Sequence, residues 1–171
     1  MSRLNLFKSD IILVANAEQS FSQLARFPRL RFAVDIYPRK GPLGGIYTGL
    51  AASTTVYNLV VACDMPFLNL GLINYMIQVA PAFDLVVPRI GRLTEPLHAI
   101  YSKKCREPIE NLIQQNELSV HKFLSLVKGR YVEAEEIDRF DPKHLSFFNI
   151  NTEADLKKAK DLLNGELAVA H

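Results

Sequence analysis

The fold of this chain is decided by VDIYPRKGPLGGIYTGL at positions 34–50 and, shortly after it, LVVACDMPFL at positions 59–68. The pattern predicts the end of one strand, a glycine-rich loop, a helix and a second strand, followed by the carboxylate of Asp64. In α/β proteins, a glycine-rich helix start binds phosphate, and a carboxylate just beyond a buried strand binds a metal ion. The stretch therefore indicates a site for both groups.

Strands and helices alternate along most of the chain. Apolar runs predict strands at 10–15, 31–34, 57–62, 83–87, 96–101 and 130–134. Helices are predicted at 17–27, 43–52, 70–80, 103–115, 119–126 and 152–164. The alternation predicts a single α/β domain over residues 1–171, with a mostly parallel sheet and helices on both faces. Between 83 and 135 the strands follow one another more closely, so an antiparallel strand or a small lid is expected there.

The C-terminal helix has its own start and stop signals. Thr152-Glu-Ala-Asp155 forms a capping box, in which the first and fourth residues satisfy backbone N–H groups at a helix start. Gly165 is predicted to end the helix, and residues 166–171 are predicted to form a loose tail.

Charge and cysteine content exclude several classes of protein. A net charge of +2 is too small to indicate binding to nucleic acid or to an anionic membrane. No apolar run approaches the length of a membrane span. Cys63 and Cys105 are the only cysteines, and without a CxxC motif or a signal peptide they predict a reducing, cytoplasmic location.

Three successive predicted strands are followed by a polar residue, namely Asn16, Asp35 and Asp64. If the strands are parallel, all three side chains lie at the edge of the sheet where α/β proteins bind ligands. Any one of them alone is more often a turn residue, because Asn and Asp commonly start loops. Three in succession favour a binding site.

The glycine-rich loop strengthens this interpretation. Gly41, Gly44 and Gly45 permit unusual backbone angles and close approach of a ligand, and the helix that follows favours an anion at its N-terminus. Arg39 and Lys40 add positive charge. The alternative is a glycine-rich helix start without a ligand, since the GxxxxGK[ST] motif of P-loop proteins is absent from the sequence.

Asp64 is the strongest candidate for a metal ligand, because Mg²⁺ prefers carboxylate oxygens and is commonly shared with substrate phosphates. The alternative is a turn aspartate ahead of Pro66. Asn149 and Asn151 flank Ile150 in a predicted strand end, so alternation places both on one polar face. Asn151 could equally serve the helix cap that follows it.

Two further residues are considered less probable site residues. His98 lies within an apolar strand, where a hydrogen-bonded core histidine is the more common case than a ligand. Glu95 precedes Pro96 and is a weak candidate for a group that faces the crevice.

Four blocks of sequence resemble the molybdenum cofactor guanylyltransferases (the MobA family) in order and spacing. They are GPLGG at 41–45, ACDMPF at 62–67, EPLHAIY at 95–101 and FNINT at 148–152. The resemblance extends from about Leu13 to the last helix, and it implies a Rossmann-like nucleotidyltransferase fold. It also implies transfer of GMP from GTP to the molybdopterin cofactor, release of pyrophosphate and a requirement for Mg²⁺.

The resemblance also implies roles for individual residues. Asn16 and Asp35 match nucleotide-binding positions, and Asp64 matches the aspartate that binds both the nucleotide and Mg²⁺. Gly45 matches the second, functionally required glycine of its block, so Asp64 and Gly45 are the expected catalytic positions. The pair Asn149 and Asn151 is expected on the molybdopterin side. GTP and the molybdopterin cofactor are the expected partners, and molybdoenzyme maturation proteins are candidates.

One family signature is not found in residues 1–171. The family begins with a strand and the pattern LAGGxSxRMGxDK, whose loop wraps the triphosphate. Residues 1–9 instead have the spacing of a helix end, so we expect the chain to be N-terminally truncated, with the first strand and the phosphate loop missing. A gap beside residues 11–15 and weak or no guanylyltransferase activity follow as predictions.

Two other functions stay open at this point. One is a related enzyme that transfers a cytidylyl group, or a nucleotidyl group to a sugar phosphate, because the lost signature holds much of the base-reading loop. The other is a non-catalytic fragment or binding protein that keeps the fold and acts through partners.

Overall fold

The computed structural model describes residues 10–16, 27 and 29–169, with side chains described as far as Asn164. Its strands are β1 (Ile11–Ala15), β2 (Leu30–Val34), β3 (Tyr57–Val61), β4 (Leu85–Ile90), β5 (Leu93–Thr94), β6 (His98–Ser102) and β7 (Gly129–Glu133). Its helices are α1 (Gly41–Ala52), α2 (Leu70–Val79), α3 (Arg106–Gln114), α4 (Val120–Leu126), α5 (Ala134–Ile137) and α6 (Glu153–Val169). The helix end predicted at 1–9 and residues 17–26 of the helix predicted at 17–27 lie outside the described residues.

The larger sheet contains five strands. Its order is β3-β6-β4-β5, and β7 pairs with β4 in parallel. Because β6 runs antiparallel to both β3 and β4, the strands β3, β4 and β7 share one direction and end at the same edge. The prediction of an α/β fold is confirmed, and β6 is the antiparallel strand expected between 83 and 135.

β1 and β2 form a separate parallel pair, in register from Ile11 opposite Leu30 to Ala15 opposite Val34. Among the described residues β2 is the strand that pairs with β1. Helix α1 lies against both sheets, and a Cβ at Gly49 would be only 3.7 Å from Val14 Cγ2. Packing on this helix therefore links the two sheets.

The core has two layers, one on each face of the larger sheet. Alternation along β4 sends Leu85 and Val87 to the face that α1, α3 and α4 cover, and sends Val86 to the face that α2 and α5 cover. Leu43 and Leu50 of α1 have no exposed surface. Helices therefore cover both faces of the larger sheet, as the alternation of elements predicts, and Asp64 follows one of its strands.

The segment before the last helix differs from its prediction. Residues 147–151 are not a strand: Leu145–Phe147 form a 3₁₀ turn, and the residues from 148 to 151 have no regular structure. The reason is that Asp141 accepts hydrogen bonds from the backbone N–H groups of Leu145 and Ser146, at 3.1 and 2.7 Å, which bends the chain. The alternation argument for Asn149 and Asn151 therefore does not apply.

Helix α6 begins as predicted and ends later. Thr152 Oγ1 accepts from the Asp155 backbone N–H at 3.1 Å, and Asp155 Oδ2 accepts from the Thr152 backbone N–H at 2.9 Å, which confirms the capping box. The helix continues to Val169, so the prediction that Gly165 ends it is wrong. A helix with a strong start can continue through one glycine at modest cost. None of the helices in the described part of the chain has the length and apolarity needed to span a bilayer.

Candidate functional site

Asp64 lies three residues beyond the end of β3, at the edge where β3, β4 and β7 finish. Its side-chain Oδ1 is buried and has no hydrogen-bond partner among the described residues. A buried carboxylate oxygen without a donor is costly unless something else supplies positive charge. The side chain thus does not make the nearby backbone hydrogen bond expected of a turn aspartate, and Oδ1 is left for another partner.

The segment at 148–151 lies directly against the Asp64 loop. The Ile150 backbone N–H donates to the Asp64 carbonyl oxygen at 2.9 Å, which joins two parts of the chain far apart in sequence. Asn149 is half-buried and its amide has no hydrogen-bond partner among the described residues, whereas Asn151 is exposed. The Asn151 backbone N–H donates to Asp155 Oδ2 at 3.2 Å, as expected next to a helix cap. The structure therefore brings Asp64 and Asn149 to one place.

Asn16 and Asp35 lie side by side at the end of the smaller sheet. They directly follow Ala15 and Val34, which are paired in the parallel register. The Asp35 backbone N–H continues the ladder by donating to the Ala15 carbonyl at 2.9 Å. The sequence predicts one shared edge for Asn16, Asp35 and Asp64. In the structure Asn16 and Asp35 follow paired strands of the smaller sheet, whereas Asp64 follows a strand of the larger one.

The Asp35 side chain also makes hydrogen bonds to the loop and to α1, which the sequence did not predict. Its Oδ1 accepts hydrogen bonds from the Tyr37 backbone N–H and from Thr48 Oγ1, each at 3.0 Å. Thr48 is buried within α1 and in turn accepts from the Ile36 backbone N–H at 3.0 Å. The carboxylate thus fixes the loop onto the helix through Oδ1, and Oδ2 accepts no bond from the described residues.

The glycines of the loop differ in what surrounds them. A Cβ at Gly44 would lie 2.7 Å from the Tyr37 carbonyl oxygen, closer than any side chain tolerates, whereas a Cβ at Gly45 would meet nothing within 4 Å. Gly41 has φ +61°, and Arg39 has φ +65°, so the entry to α1 needs the left-handed region. Glycine is therefore required at position 44 for close packing against the loop, whereas the position of a Cβ at Gly45 is open space.

The N-terminus of α1 has no side-chain cap, so its first backbone N–H groups are left for another acceptor. Of the two basic residues beside it, Lys40 donates to Asn116 Oδ1 at 2.8 Å, and Arg39 is exposed. The helix N-terminus and Arg39 together give this end of the crevice a positive character, as the sequence predicts.

His98 has surroundings that its place in an apolar strand does not predict. It is fully buried at the start of β6, where it pairs with Val61 of β3, close to the Asp64 loop. The expected burial is confirmed, but none of the described protein groups supplies a hydrogen bond to either ring nitrogen. Burial lowers the pKa of His98 from 6.5 to about 4, so the ring is neutral at pH 7. In the sequence, the one sign that His98 could be more than a core residue is its position within the block EPLHAIY at 95–101.

The turn that precedes His98 is held firmly. The Glu95 backbone N–H donates to the Pro88 carbonyl at 3.0 Å, and the Ala62 backbone N–H donates to the Leu97 carbonyl at 2.9 Å. The Tyr101 hydroxyl donates to the Pro96 carbonyl at 2.8 Å. Partial burial raises the pKa of the Glu95 carboxyl above its usual value. The weak candidate Glu95 is thus carried on a rigid turn beside the same edge of the sheet.

A divalent cation fits Asp64, although it would find few other protein ligands. Among residues 10–16, 27 and 29–169, no three His, Cys, Asp or Glu side chains are grouped as a metal cage. Mg²⁺ typically takes one or two carboxylates and fills its remaining positions with water and substrate phosphate. One buried acceptor, Oδ1 of Asp64, is the kind of donor that such a shared site uses.

Comparison with known proteins places this arrangement in a family. Residues 1–133 match the model of the MobA-like NTP transferase domain. The chain is 36% identical over 152 residues to a probable molybdenum cofactor guanylyltransferase of Pelotomaculum thermopropionicum, covering 89% of this chain and 72% of that protein. It is 37% identical over 163 residues to one of Methanosarcina mazei, covering 90% and 73%.

A solved structure shows the same similarity. The molybdopterin-guanine dinucleotide biosynthesis protein A of Archaeoglobus fulgidus superposes with a TM-score of 0.80 at 25% identity, over 96% of this chain and 83% of that one. The family model, the sequence identity and the superposition all agree with the four blocks that suggested the resemblance. This chain belongs to the MobA-like NTP transferase family.

Proposed function

We propose that this chain transfers GMP from GTP to the terminal phosphate of the molybdopterin cofactor. The observation that carries the proposal is the buried, unpartnered Oδ1 of Asp64, hydrogen bonded through its backbone to the segment that contains Asn149. Relatives at 36% and 37% identity are named molybdenum cofactor guanylyltransferases, which supports this substrate pair over others.

The proposed reaction is a displacement at phosphorus. An oxygen of the molybdopterin phosphate attacks the α-phosphorus of GTP, and the bond from that phosphorus to the oxygen bridging to the β-phosphate breaks. The electron pair leaves with pyrophosphate, and the products are the guanine dinucleotide form of the cofactor and pyrophosphate. Such a step needs alignment of two phosphates and compensation of their negative charge more than it needs a chemical group from the protein.

The residues divide between the two substrates. Asn16 and Asp35 are proposed to hold the nucleoside of GTP, with the open side of Gly45 and the N-terminus of α1 nearest to its phosphates. Asn149 and Asn151 are proposed to orient the molybdopterin side. Asp64, between them in the chain and bonded to Ile150, is proposed to align the reacting phosphates.

Mg²⁺ is the proposed cofactor, held by Asp64. When bound, it would offset the charge of the phosphate oxygens during transfer. A cytoplasmic location is also proposed, and it is supported by two free thiols, one exposed at Cys63 and one buried at Cys105.

The decisive experiment compares Asp64→Asn with Asp161→Asn, a matched change at an exposed aspartate of α6. Binding of Mg·GTP is measured by isothermal titration, and conversion of molybdopterin to its guanine dinucleotide is measured alongside. Because weak or no turnover is expected from residues 1–171 alone, turnover of both variants is measured in a chain with the family's phosphate-loop signature fused at its N-terminus. In that fusion we expect Asp64→Asn to lower turnover by about 100-fold or more, the scale on which removal of one charge-stabilising group acts. Asp161→Asn should change neither quantity, and equal behaviour of the two variants would contradict the proposal.

The phosphate-loop signature is not found in residues 1–171, so turnover should be measured with and without that signature fused at the N-terminus. We expect weak or no turnover from residues 1–171 and strong turnover from the fusion. Robust turnover without the signature would overturn the expectation of weak activity while supporting the reaction itself.

The same titrations separate the alternatives. Preference for Mg·CTP over Mg·GTP would indicate a cytidylyl transferase. Absence of nucleotide binding by both the parent chain and the fusion would favour a non-catalytic binding protein.

A further inference from the structure

Two fully buried polar side chains near the Asp64 loop have no partner among the described residues. They are His98, with both ring nitrogens unpaired, and Ser146, with its Oγ unpaired; each residue has 0% exposed surface. Buried polar groups in folded proteins are nearly always hydrogen bonded, either to protein or to an ordered internal water. Three unpaired atoms in one region therefore indicate a bound group rather than chance.

The two side chains belong to one neighbourhood. The His98 ring packs edge-on against Phe147, with 5.2 Å between the ring centroids and 81° between the ring planes. Phe147 directly follows Ser146, whose backbone N–H is fixed by Asp141 Oδ2 at 2.7 Å. Asp141 is also the charged group that faces the imidazole. The His98 ring thus lies against the 3₁₀ turn that carries Ser146.

That neighbourhood connects the two halves of the site. His98 is paired with Val61, and its neighbour Leu97 accepts a hydrogen bond from Ala62 at 2.9 Å, two residues before Asp64. Ser146 lies in the segment whose Ile150 donates to the Asp64 carbonyl. A link between the imidazole and the hydroxyl would therefore brace the Asn149 segment against the strand that carries Asp64.

We propose that a buried water joins His98 to the Ser146 hydroxyl, and that His98 is a positioning residue which sets the placement of Asn149 relative to Asp64. A neutral imidazole offers one donor and one acceptor, and a hydroxyl offers both, so a single water can satisfy them. The role assigned to Asn149 rests on the proposed function, whereas the water site itself does not.

The functional test uses His98→Phe, which keeps a ring of similar size, and His98→Gln, which keeps a donor and an acceptor. Equilibrium dialysis measures binding of molybdopterin, and isothermal titration measures Mg·GTP. We expect His98→Phe to weaken molybdopterin binding by about 10-fold, the loss typical of a group that orients a ligand-binding residue. Mg·GTP binding should stay within about 2-fold, and His98→Gln should recover most of the loss. His121→Phe, at an exposed position of α4, is the matched control.

Ser146→Ala and the double variant test the link. If one water serves both residues, Ser146→Ala should resemble His98→Phe, and the double variant should be no worse than either single one. Independent, additive losses would overturn the link. Equal loss of both ligands in His98→Phe would show general damage and would overturn the positioning role.

A crystal structure of the parent chain tests the water directly. We expect an ordered water within hydrogen-bonding distance of the imidazole and of Ser146 Oγ, and its absence would overturn the inference whether or not the chain binds either substrate. Failure of the parent chain to bind molybdopterin with the water present would instead overturn the proposed function and, with it, the role given to Asn149.

Discussion

Acid should destabilise this chain through the buried imidazole of His98. Burial lowers the pKa of this group from 6.5 to about 4, and the side chain has no exposed surface. Between these two values the unfolded chain binds a proton that the folded chain does not bind. The free energy of unfolding therefore falls as the pH drops below 6.5, and this contribution to the fall is complete near pH 4.

The size of the effect follows from the shift. The difference between 6.5 and about 4 corresponds to about 3 kcal/mol in total, since one pKa unit is worth about 1.4 kcal/mol. Between about pH 7 and about pH 5, the same two pKa values give a loss of about 2 kcal/mol. This is a large fraction of the stability of an ordinary domain.

Urea denaturation of the parent chain and of His98→Gln, at both pH values, isolates the effect. The parent should lose about 2 kcal/mol more than the variant on acidification. The comparison is needed because other groups titrate too. The raised pKa of Glu95 acts in the opposite direction, since a carboxyl that holds its proton more tightly when folded stabilises the folded chain at lower pH.

The substitution His121→Gln, at an exposed position, provides the control and should keep the parent's response to pH. The reasoning is refuted if the parent and His98→Gln lose the same stability between the two pH values. That result would mean that the folded chain takes up the proton as readily as the unfolded one, so that burial does not disfavour the charged form of the ring.

Three substitutions test the framework of the site by urea denaturation at neutral pH. Gly44→Ala should cost about 1–3 kcal/mol, because its new methyl group would lie 2.7 Å from the Tyr37 carbonyl oxygen; a stability equal to the parent's would mean that the loop moves freely. Thr48→Val should cost about 1–3 kcal/mol, because it removes the hydroxyl that donates to Asp35 at 3.0 Å, and an unchanged midpoint would contradict this role. Asp155→Ala should cost about 1 kcal/mol through loss of the capping box, and a urea midpoint equal to the parent's would contradict this role.

Local features of the site could be predicted from the sequence. The strand that precedes Asp64, the helix start at the glycine-rich loop and the capping box at Thr152 depend on residues within a few positions of one another. Hydrophobic periodicity and helix-capping residues can be recognised in a sequence over such short separations. The shared edge of Asn16 and Asp35 was also predictable, because parallel pairing of two neighbouring apolar strands leaves little choice of register.

The distinction between Gly44 and Gly45 was not predictable. Both glycines are part of the same motif, yet only the first faces the Tyr37 carbonyl, since that contact depends on how the preceding loop folds over α1. The sequence resemblance assigned function to Gly45, and the structure adds a packing requirement at Gly44. Steric limits of this kind arise from the path of the backbone, which the identity of a glycine does not encode.

By itself the sequence determined the α/β class, the family and the candidate residues at the strand ends. The class follows from the alternation of strand and helix patterns, and the family and the residues follow from short motifs. Only the tertiary structure decided that the segment at 148–151 packs on the Asp64 loop instead of forming a strand, and that His98 is buried without a hydrogen-bond partner among the described residues. Both outcomes depend on hydrogen bonds between segments far apart in the chain. Such bonds form according to which groups the whole fold leaves buried together, and no short stretch of sequence specifies that.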